Sequence, residues 1–266
     1  MEQLYKFLTL IPKWKVITYK NLGEIFNLTP RQVAKILANN KLQDKYPCYK
    51  VINSNLQVWG YNLWVNEKIR KLKNEWIKII NNKVDKKHLW NYKLKNFFCA
   101  IPLESNQVEK FQQLVKLLQK LNNWSFTIQK PQTPHITIKF FWNISLNKFH
   151  EIIQNTSSLK LSKKHAVLLQ KVDNFNQRVY FYKPAYQKPF YDIYLKFSKI
   201  NNFLKEPNFQ PHLTVIRVKD NKKFNQIKPK VLKILNTYSF FIKLNKIRFY
   251  LGIDNHFQVE IKDIYL

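Results

Sequence analysis

Two near-identical pentapeptides stand 77 positions apart: Pro134-His135-Ile136-Thr137-Ile138 and Pro211-His212-Leu213-Thr214-Val215. On a β-strand, residues two apart share one face at roughly 7 Å. Each motif therefore offers one imidazole and one hydroxyl to a common surface and sends its apolar residues into a core. Two imidazoles facing one cleft suit acid–base chemistry near neutrality, because with an ordinary pKa of ~6.5 one can accept a proton while the other donates. The hydroxyls can grip non-bridging phosphate oxygens. A single His-x-Thr is most often an ordinary strand histidine; the duplication, with a proline before each copy, points to a site.

A second candidate is Cys48, in Tyr46-Pro47-Cys48-Tyr49-Lys50-Val51-Ile52. A cysteine after a proline is by itself a small buried hydrophobe, so its meaning depends on its surroundings. The other cysteine, Cys99, sits in an apolar run, no metal-ligand spacing is present and no disulfide framework is expected. His88, His150, His165 and His256 fall in a linker, a helix, a strand start and a hairpin turn, where solvated or capping roles are expected.

Positioning these residues requires two kinds of element. From Leu4 to Ile80 the apolar period is helical: Leu22, Ile25 and Phe26 are followed by Val33, Ile36 and Leu37, with Thr29-Pro30 between them as N-cap and first-turn proline. A third helix is expected from about Val65 to Ile80, burying Ile69, Leu72, Trp76 and Ile79. Residues 81–94 are polar and lysine-rich and read as a linker. Beyond them come an apolar strand at Asn96–Leu103, a helix at about Gln107–Leu121 and a strand at His135–Trp142. The grammar recurs with a helix at about Leu146–Asn155, strands near His165–Leu169 and Arg178–Tyr182, and a helix at about Phe190–Phe203. A strand at His212–Val218, a helix around Phe224–Leu235 and a closing hairpin from Phe240 to Tyr265 complete it. This is α+β built from two similar halves.

The 266 residues hold 46 Lys+Arg against 16 Asp+Glu, a formal charge of +30, and only three glycines, Gly23, Gly60 and Gly252. Three isolated glycines cannot build a Walker loop or a dinucleotide fingerprint. The charge divides as +9 up to residue 85 and +21 beyond it, so both parts are basic, as expected of surfaces that neutralise phosphates. A coding sequence rich in A and T would also enrich Lys, Asn and Ile, but it explains the scarcity of acids less well. The opening MEQLYKFLTLIPKW has too short an apolar run for a secretory signal, and no stretch reaches the ~18 apolar residues of a membrane span. A cytoplasmic protein with no membrane partner is expected.

At its two histidine motifs the chain from about Lys95 to Leu266 resembles the two-histidine (2H) phosphoesterase superfamily, specifically the LigT-like RNA 2′,3′-cyclic phosphodiesterases, also called the 2′-5′ RNA ligase family. FFCAIPL looks like that family's first strand, HITIKFF like its first catalytic strand and PHLTVIRV like its second, including Arg217, which the family uses near the phosphate. The resemblance implies hydrolysis of a 2′,3′-cyclic phosphate to a 2′-phosphomonoester without a metal or other cofactor. Such a phosphate needs a vicinal 2′-hydroxyl, so the implied substrate is RNA. The expected roles are His135 as acid, His212 as base, and Thr137, Thr214 and Arg217 as stabilisers of charge on the equatorial oxygens.

The segment Ile11–Ile80 resembles the C-terminal domain of the alkylguanine DNA alkyltransferases and alkyltransferase-like proteins, a winged helix-turn-helix fold. The matching runs are IPKWKVITYKNLGEI, TPRQVAKILANN and PCYKVI, then a helix bearing Lys68 and Glu75. The resemblance puts Cys48 on the alkyl-accepting cysteine, Asn40 on the asparagine that orients its loop and Glu75 on the glutamate ending the hydrogen-bond chain. It puts Arg31 on the arginine that fills the space of a flipped base and Tyr19 on the tyrosine that helps turn the nucleotide out. Lys35, Lys41, Lys45 and Lys50 are consistent with phosphate contacts. Where the family has Pro-Cys-His-Arg, this chain has Pro-Cys-Tyr-Lys, and a phenol of pKa ~10 relays a proton poorly at neutral pH. Trp59, Leu63 and Trp64 with a single Gly60 replace the glycines that shape the family's pocket.

The expected architecture is thus a mostly α winged helix-turn-helix at 1–82, a linker at 83–94 and a two-lobed α+β 2H phosphoesterase fold with duplicated β-α-β halves at 95–266. The expected function is RNA cyclic phosphodiesterase with an appended nucleic-acid-binding domain, the partners being RNA with cyclic phosphate ends and DNA. Two alternatives stand beside it: DNA alkyl-lesion repair or sensing through Cys48, and non-catalytic nucleic-acid binding.

Overall fold

A computed structural model describes residues 2–59, 64–130, 132–160, 165–203, 208–254 and 257–266. Gly60, Leu63 and His256 lie outside them. The chain divides into two compact units. The first is Met1–Asn96 with Ile144–His150 and Tyr250–Lys262, and the second is Phe97–Asn143 with Glu151–Phe249 and Asp263–Leu266.

The first unit begins with helix α1 (Glu2–Leu8), strand β1 (Ile17–Thr18), and helices α2 (Tyr19–Phe26) and α3 (Pro30–Ala38). The α2–α3 joint is tight because three local choices agree. Asn27 takes the left-handed conformation after α2, Leu28 N–H bonds back to the Gly23 carbonyl at 2.8 Å, and Thr29 with Gln32 forms a reciprocal capping box before Pro30. Gly23 is required there, since a Cβ would sit 2.4 Å from the Leu28 carbonyl oxygen. Strand β2 (Val51–Ile52) pairs parallel with β1, and α4 (Val65–Asn74) follows.

Helix α4 stops before Ile80. Trp76 turns left-handed (φ 64°), with Trp76 N–H on the Lys73 carbonyl and Ile77 N–H on the Leu72 carbonyl, a Schellman end with Trp where Gly is usual. Trp76 is therefore 85 % exposed, and Ile77 takes its expected place in a core with Val16, Ile52, Val58, Leu72 and Val84. The segment expected to be a linker is also structured. Strands β3 (Ile79–Ile80) and β4 (Lys83–Val84) form a hairpin, and a 3-10 turn covers Lys86–His88. His88 is a core histidine rather than a solvated one: Nε2 accepts from Lys78 N–H at 3.0 Å and Nδ1–H donates to the Trp14 carbonyl at 2.9 Å. His150 is likewise buried, its Nε2 2.9 Å from the Glu24 carbonyl of the same unit.

The second fold is α+β on a curled sheet. Its elements are β5 (Leu94–Pro102), α5 (Ser105–Leu121), β6 (Phe126–Ile128), β7 (His135–Phe141), α6 (Leu146–Thr156), β8 (Ala166–Phe175), β9 (Val179–Pro184), α7 (Lys188–Ile200), β10 (Leu213–Val218), α8 (Asn221–Asn236), β11 (Phe240–Lys243), β12 (Lys246–Ile253) and β13 (Phe257–Tyr265). The strand order is β11-β8-β9-β10-β7-β5-β12-β13, with short β6 against β10. Sequence reading located the helices within a few residues, missed β6 and merged β11 to β13 into one hairpin.

One sheet face carries the helices. Phe141 packs on Phe197 of α7, Phe224 of α8 packs on Phe126 and Tyr180, and Phe240 meets Phe111 of α5. Ile136, Ile138, Leu213 and Val215 are all buried on that side. The alternate residues of β7 and β10 face the other way, which is where the motifs of interest project.

Candidate active site

Strands β7 and β10 are antiparallel neighbours with Leu213 opposite Ile136. This register brings Thr214 beside His135 and His212 beside Thr137, so all four side chains share one face. Each imidazole is held the same way. His135 Nδ1–H donates to the Thr133 carbonyl and His212 Nδ1–H to the Gln210 carbonyl, both at 2.7 Å and both two residues back. A carbonyl can only accept, so each neutral ring keeps its proton on Nδ1 and presents Nε2 as the basic nitrogen. Aromatic rings fix the planes: Phe98 lies 5.2 Å from His135, and Phe175 and Phe181 lie 5.0 and 4.9 Å from His212.

Both strands are bulged just after the motif. The β5–β7 register slips between Cys99↔Lys139 and Ala100↔Thr137, leaving Ile138 as an extra residue. The β9–β10 register slips between Thr214↔Phe181 and Ile216↔Tyr180, leaving Val215 extra. A bulge swaps the faces beyond it. Arg217, three residues past Thr214, consequently joins the histidine face, opposite Val179. It remains exposed, with its backbone carbonyl accepting from the Thr127 hydroxyl.

The electrostatics disfavour imidazolium at both positions. Burial pushes His135 down to about 4, against the Thr133 hydrogen bond that favours its charged form; the charges of His212 and Arg217 push it further down. His212 is lowered too, mainly by burial and then by Arg217, with the Gln210 bond again opposing. An anion beside the two rings would favour both charged forms.

In the first unit, Cys48 and Asn40 are both buried, and Asn40 Nδ2 donates to Cys48 Sγ at 3.4 Å and to the Tyr46 carbonyl at 3.1 Å. Tyr49 donates its phenolic hydrogen to Glu75 Oε1, and Lys50 pairs with Glu75 Oε2 at 2.6 Å while its ammonium also donates to the Ile11 and Pro12 carbonyls. Lys50 is thus an internal strut, not the phosphate contact expected; Lys35, Lys41 and Lys45 are exposed. Tyr19 is half-buried at the start of α2, and Arg31 is exposed at the start of α3. Lys68 is wholly buried, donates to the Val51 and Trp59 carbonyls, and places its amine 5.7 Å from the Tyr19 ring. Burial lowers Lys68 to about 8, with Cys48 acting the other way, and burial lifts the Tyr19 phenol to about 12.

Residues 1–77 match the family described as 6-O-methylguanine DNA methyltransferase, DNA binding domain, and residues 101–181 match LigT like phosphoesterase. The chain joins an alkyltransferase-like DNA-binding region to a LigT-like phosphoesterase domain. A bifunctional methyltransferase/endonuclease of Picrophilus torridus is 37% identical over 109 residues, 40% of this chain and 36% of that protein. The chain therefore spans about a third of that relative's length. An RNA 2′,3′-cyclic phosphodiesterase of Methanocaldococcus jannaschii is 29% identical over 134 residues, 47% of this chain and 74% of that protein. Among solved structures, E. coli LigT complexed with 3′-AMP aligns at 13% identity and a TM-score of 0.49, covering 65% of this chain and 99% of its own.

The LigT-like match contains His135 and Thr137; His212, Thr214 and Arg217 lie beyond its end, and it is the β7–β10 pairing that joins them to the first motif. The alkyltransferase-like match contains Tyr19, Arg31, Asn40, Cys48 and Glu75. Sequence reasoning missed three contributors. Phe98 and Phe175 each stand 37 residues before their histidine, a spacing that the 77-residue repeat carries and that could have found them. The burial of Lys68 had no signal in its exposed-looking helix.

Proposed function

We propose that the LigT-like domain opens RNA 2′,3′-cyclic phosphate ends to 2′-phosphomonoesters by two-histidine acid–base catalysis. The observation that carries this reading is the cross-strand square His135–Thr214 and His212–Thr137, with both Nδ1 atoms engaged on carbonyls and both Nε2 atoms basic. His212 Nε2 takes a proton from water as the water oxygen attacks phosphorus in line with O3′. The P–O3′ bond breaks, and His135, entering as imidazolium held by the phosphate anion, gives its Nε2 proton to O3′. His212 is the more open of the two, as activation of an incoming water requires. The depressed pKa of His135 makes its imidazolium a strong acid toward an alkoxide. Thr137, Thr214 and Arg217 stabilise charge on the equatorial oxygens.

The site supports a duplicated origin for the domain. Phe98 and Phe175, Thr133 and Gln210, the two histidines, the two threonines and the bulged Ile138 and Val215 all stand 77 apart.

The alkyltransferase-like region is proposed to bind DNA through α2–α3, with Arg31 and Tyr19 at a turned-out nucleotide and the β3–β4 hairpin as the wing. Alkyl transfer to Cys48 is weak, because Tyr49 occupies the relay position between the thiol and Glu75. The full chain should open an adenosine 2′,3′-cyclic phosphate end, and His135→Ala and His212→Ala should each remove most of the rate. Full activity in both variants would overturn the phosphodiesterase reading.

A further inference from the structure

Fourteen of the described non-glycine residues have a positive φ. Eight of them are Asn or Asp, whose short polar side chains tolerate that conformation. Four of the remaining six are tryptophans: Trp14 (φ 55°), Trp64 (72°), Trp76 (64°) and Trp124 (67°). The chain holds only seven tryptophans against 20 phenylalanines and 14 tyrosines, yet no described Phe or Tyr is left-handed. Aromatic character therefore does not favour these positions. A Cβ crowds the neighbouring carbonyl oxygen there, so they suit a residue without one.

The local backbone at each position is one that glycine serves. Trp14 is the third residue of the turn Pro12–Lys15, closed by Lys15 N–H on the Pro12 carbonyl at 3.2 Å, where a positive φ calls for glycine. Trp64 caps α4 with φ 72° and ψ 146°, beside the region that glycine alone fills. Trp76 holds the Schellman position at the other end of α4, and Trp124 lies between α5 and β6. Packing does not offset the strain, because the four indoles are 56, 83, 85 and 90 % exposed in that order. Trp90 is the contrast. It has no positive φ, is 6 % exposed, and packs its ring 5.8 Å from Phe7 and 5.4 Å from Tyr92.

We propose that positions 14, 64, 76 and 124 are glycine in the protein as its own cell makes it, inserted at UGA codons. UGA ends translation in the standard code, and variant codes read it as tryptophan or as glycine. A chain decoded the first way carries an exposed, left-handed tryptophan wherever the second way places glycine. Trp90, encoded by UGG, is tryptophan under both. The same decoding accounts for a chain of 266 residues with only three glycines. At position 64 it also removes one of the bulky residues that set the alkyltransferase-like region apart from the family it resembles. The inference does not depend on the phosphodiesterase reading.

The test has two arms. In the first, the full chain is melted beside a Trp14→Gly/Trp64→Gly/Trp76→Gly/Trp124→Gly variant and a variant with alanine at the same four positions. Alanine removes the same indoles but suits a positive φ no better, so glycine should raise Tm by about 5–10 °C and alanine by much less. Equal shifts, or none with glycine, overturn the proposal. Trp90→Gly should lower Tm; no loss there also overturns it, because backbone conformation would then decide nothing. In the second arm the protein is purified from its own cells and its peptides are sequenced by mass. Glycine at all four positions and tryptophan at 90 are expected. Tryptophan at any of the four, or glycine at 90, overturns the decoding.

Discussion

Arg217 shares a sheet face with Thr214, although the two stand three positions apart, because Val215 is bulged out of register with β9. In an unbroken strand an odd separation would turn the guanidinium toward the helices. The bulge thus sets which residues of β10 share the face of the candidate site. In the proposed reaction Arg217 meets charge as it spreads onto the equatorial oxygens, so Arg217→Ala should lower kcat by about a hundredfold. Arg217→Lys should recover a minor part, since an ammonium lacks the planar fork. A kcat loss smaller than the KM change in steady-state kinetics would place Arg217 in ground-state binding instead.

The depressed pKa of His135 makes a stability prediction whose sign is fixed. Its folded value of about 4 lies below the ordinary 6.5, so the unfolded chain binds the extra proton between those values and stability falls as pH falls. The contribution is fully present above pH ~6.5 and is lost as the pH drops toward 4, to the extent of about 3 kcal/mol. Urea melts of the wild type and His135→Gln at pH 7 and pH 4.5 should show the variant losing less stability on acidification. Parallel losses would show that His135 does not carry the shift.

The same shifts bear on rate. Burial and Arg217 lower both histidines, and the proposed reaction needs one of them charged. The kcat/KM profile should therefore peak on the acid side of an ordinary imidazole, with its alkaline limb below pH ~6.5. Arg217→Gln, which removes one positive charge near both rings, should move that limb upward even as it lowers the rate. A limb that stays in place would mean that Arg217 does not set the histidine charge.

The four polar residues of this square were legible because strand alternation has a period of two, and a His-x-Thr motif can only present both groups together. Their pairing across β7 and β10 was implied by the duplication. The bulges and the Phe98 contact were not legible, since a bulge depends on the partner strand and leaves no local pattern. In the first unit the capping box and Pro30 made α3 readable, whereas α4 was read too long. Trp76 fits an amphipathic period, but the chain reverses there into the β3–β4 hairpin and Ile77 fills the core instead. The linker was misread for a related reason: His88 and Trp90 are buried by contacts distant in sequence, which a lysine-rich composition conceals.

Gly23 ties α2 to α3 with no room for a side chain, a Cβ there meeting the Leu28 carbonyl oxygen at 2.4 Å. Backbone cannot swing aside as a side-chain tip can, so Gly23→Ala should cost about 1–3 kcal/mol and tilt the helix that carries Arg31. The expected outcome is a lower Tm together with weaker binding to duplex DNA, while turnover of a cyclic phosphate at the histidine site is retained. Unchanged DNA affinity in the destabilised variant would separate Arg31 from nucleic-acid binding.

Tyr49 and Glu75 supply the most direct test of the thiol. The phenol reaches the glutamate that the resemblance assigns to the proton relay, so that end of the relay is kept with a phenol in place of an imidazole. A phenol with a pKa near 10 cannot take the Cys48 proton at neutral pH, whereas an imidazole can. Wild-type chain incubated with an oligonucleotide carrying O6-methylguanine should show little or no added methyl mass on Cys48. Tyr49→His should raise the rate of that modification by at least about tenfold, and Tyr49→His with Cys48→Ser should abolish it. If Tyr49→His stays inert while the oligonucleotide still binds, the barrier lies in access to the buried thiol rather than in its deprotonation.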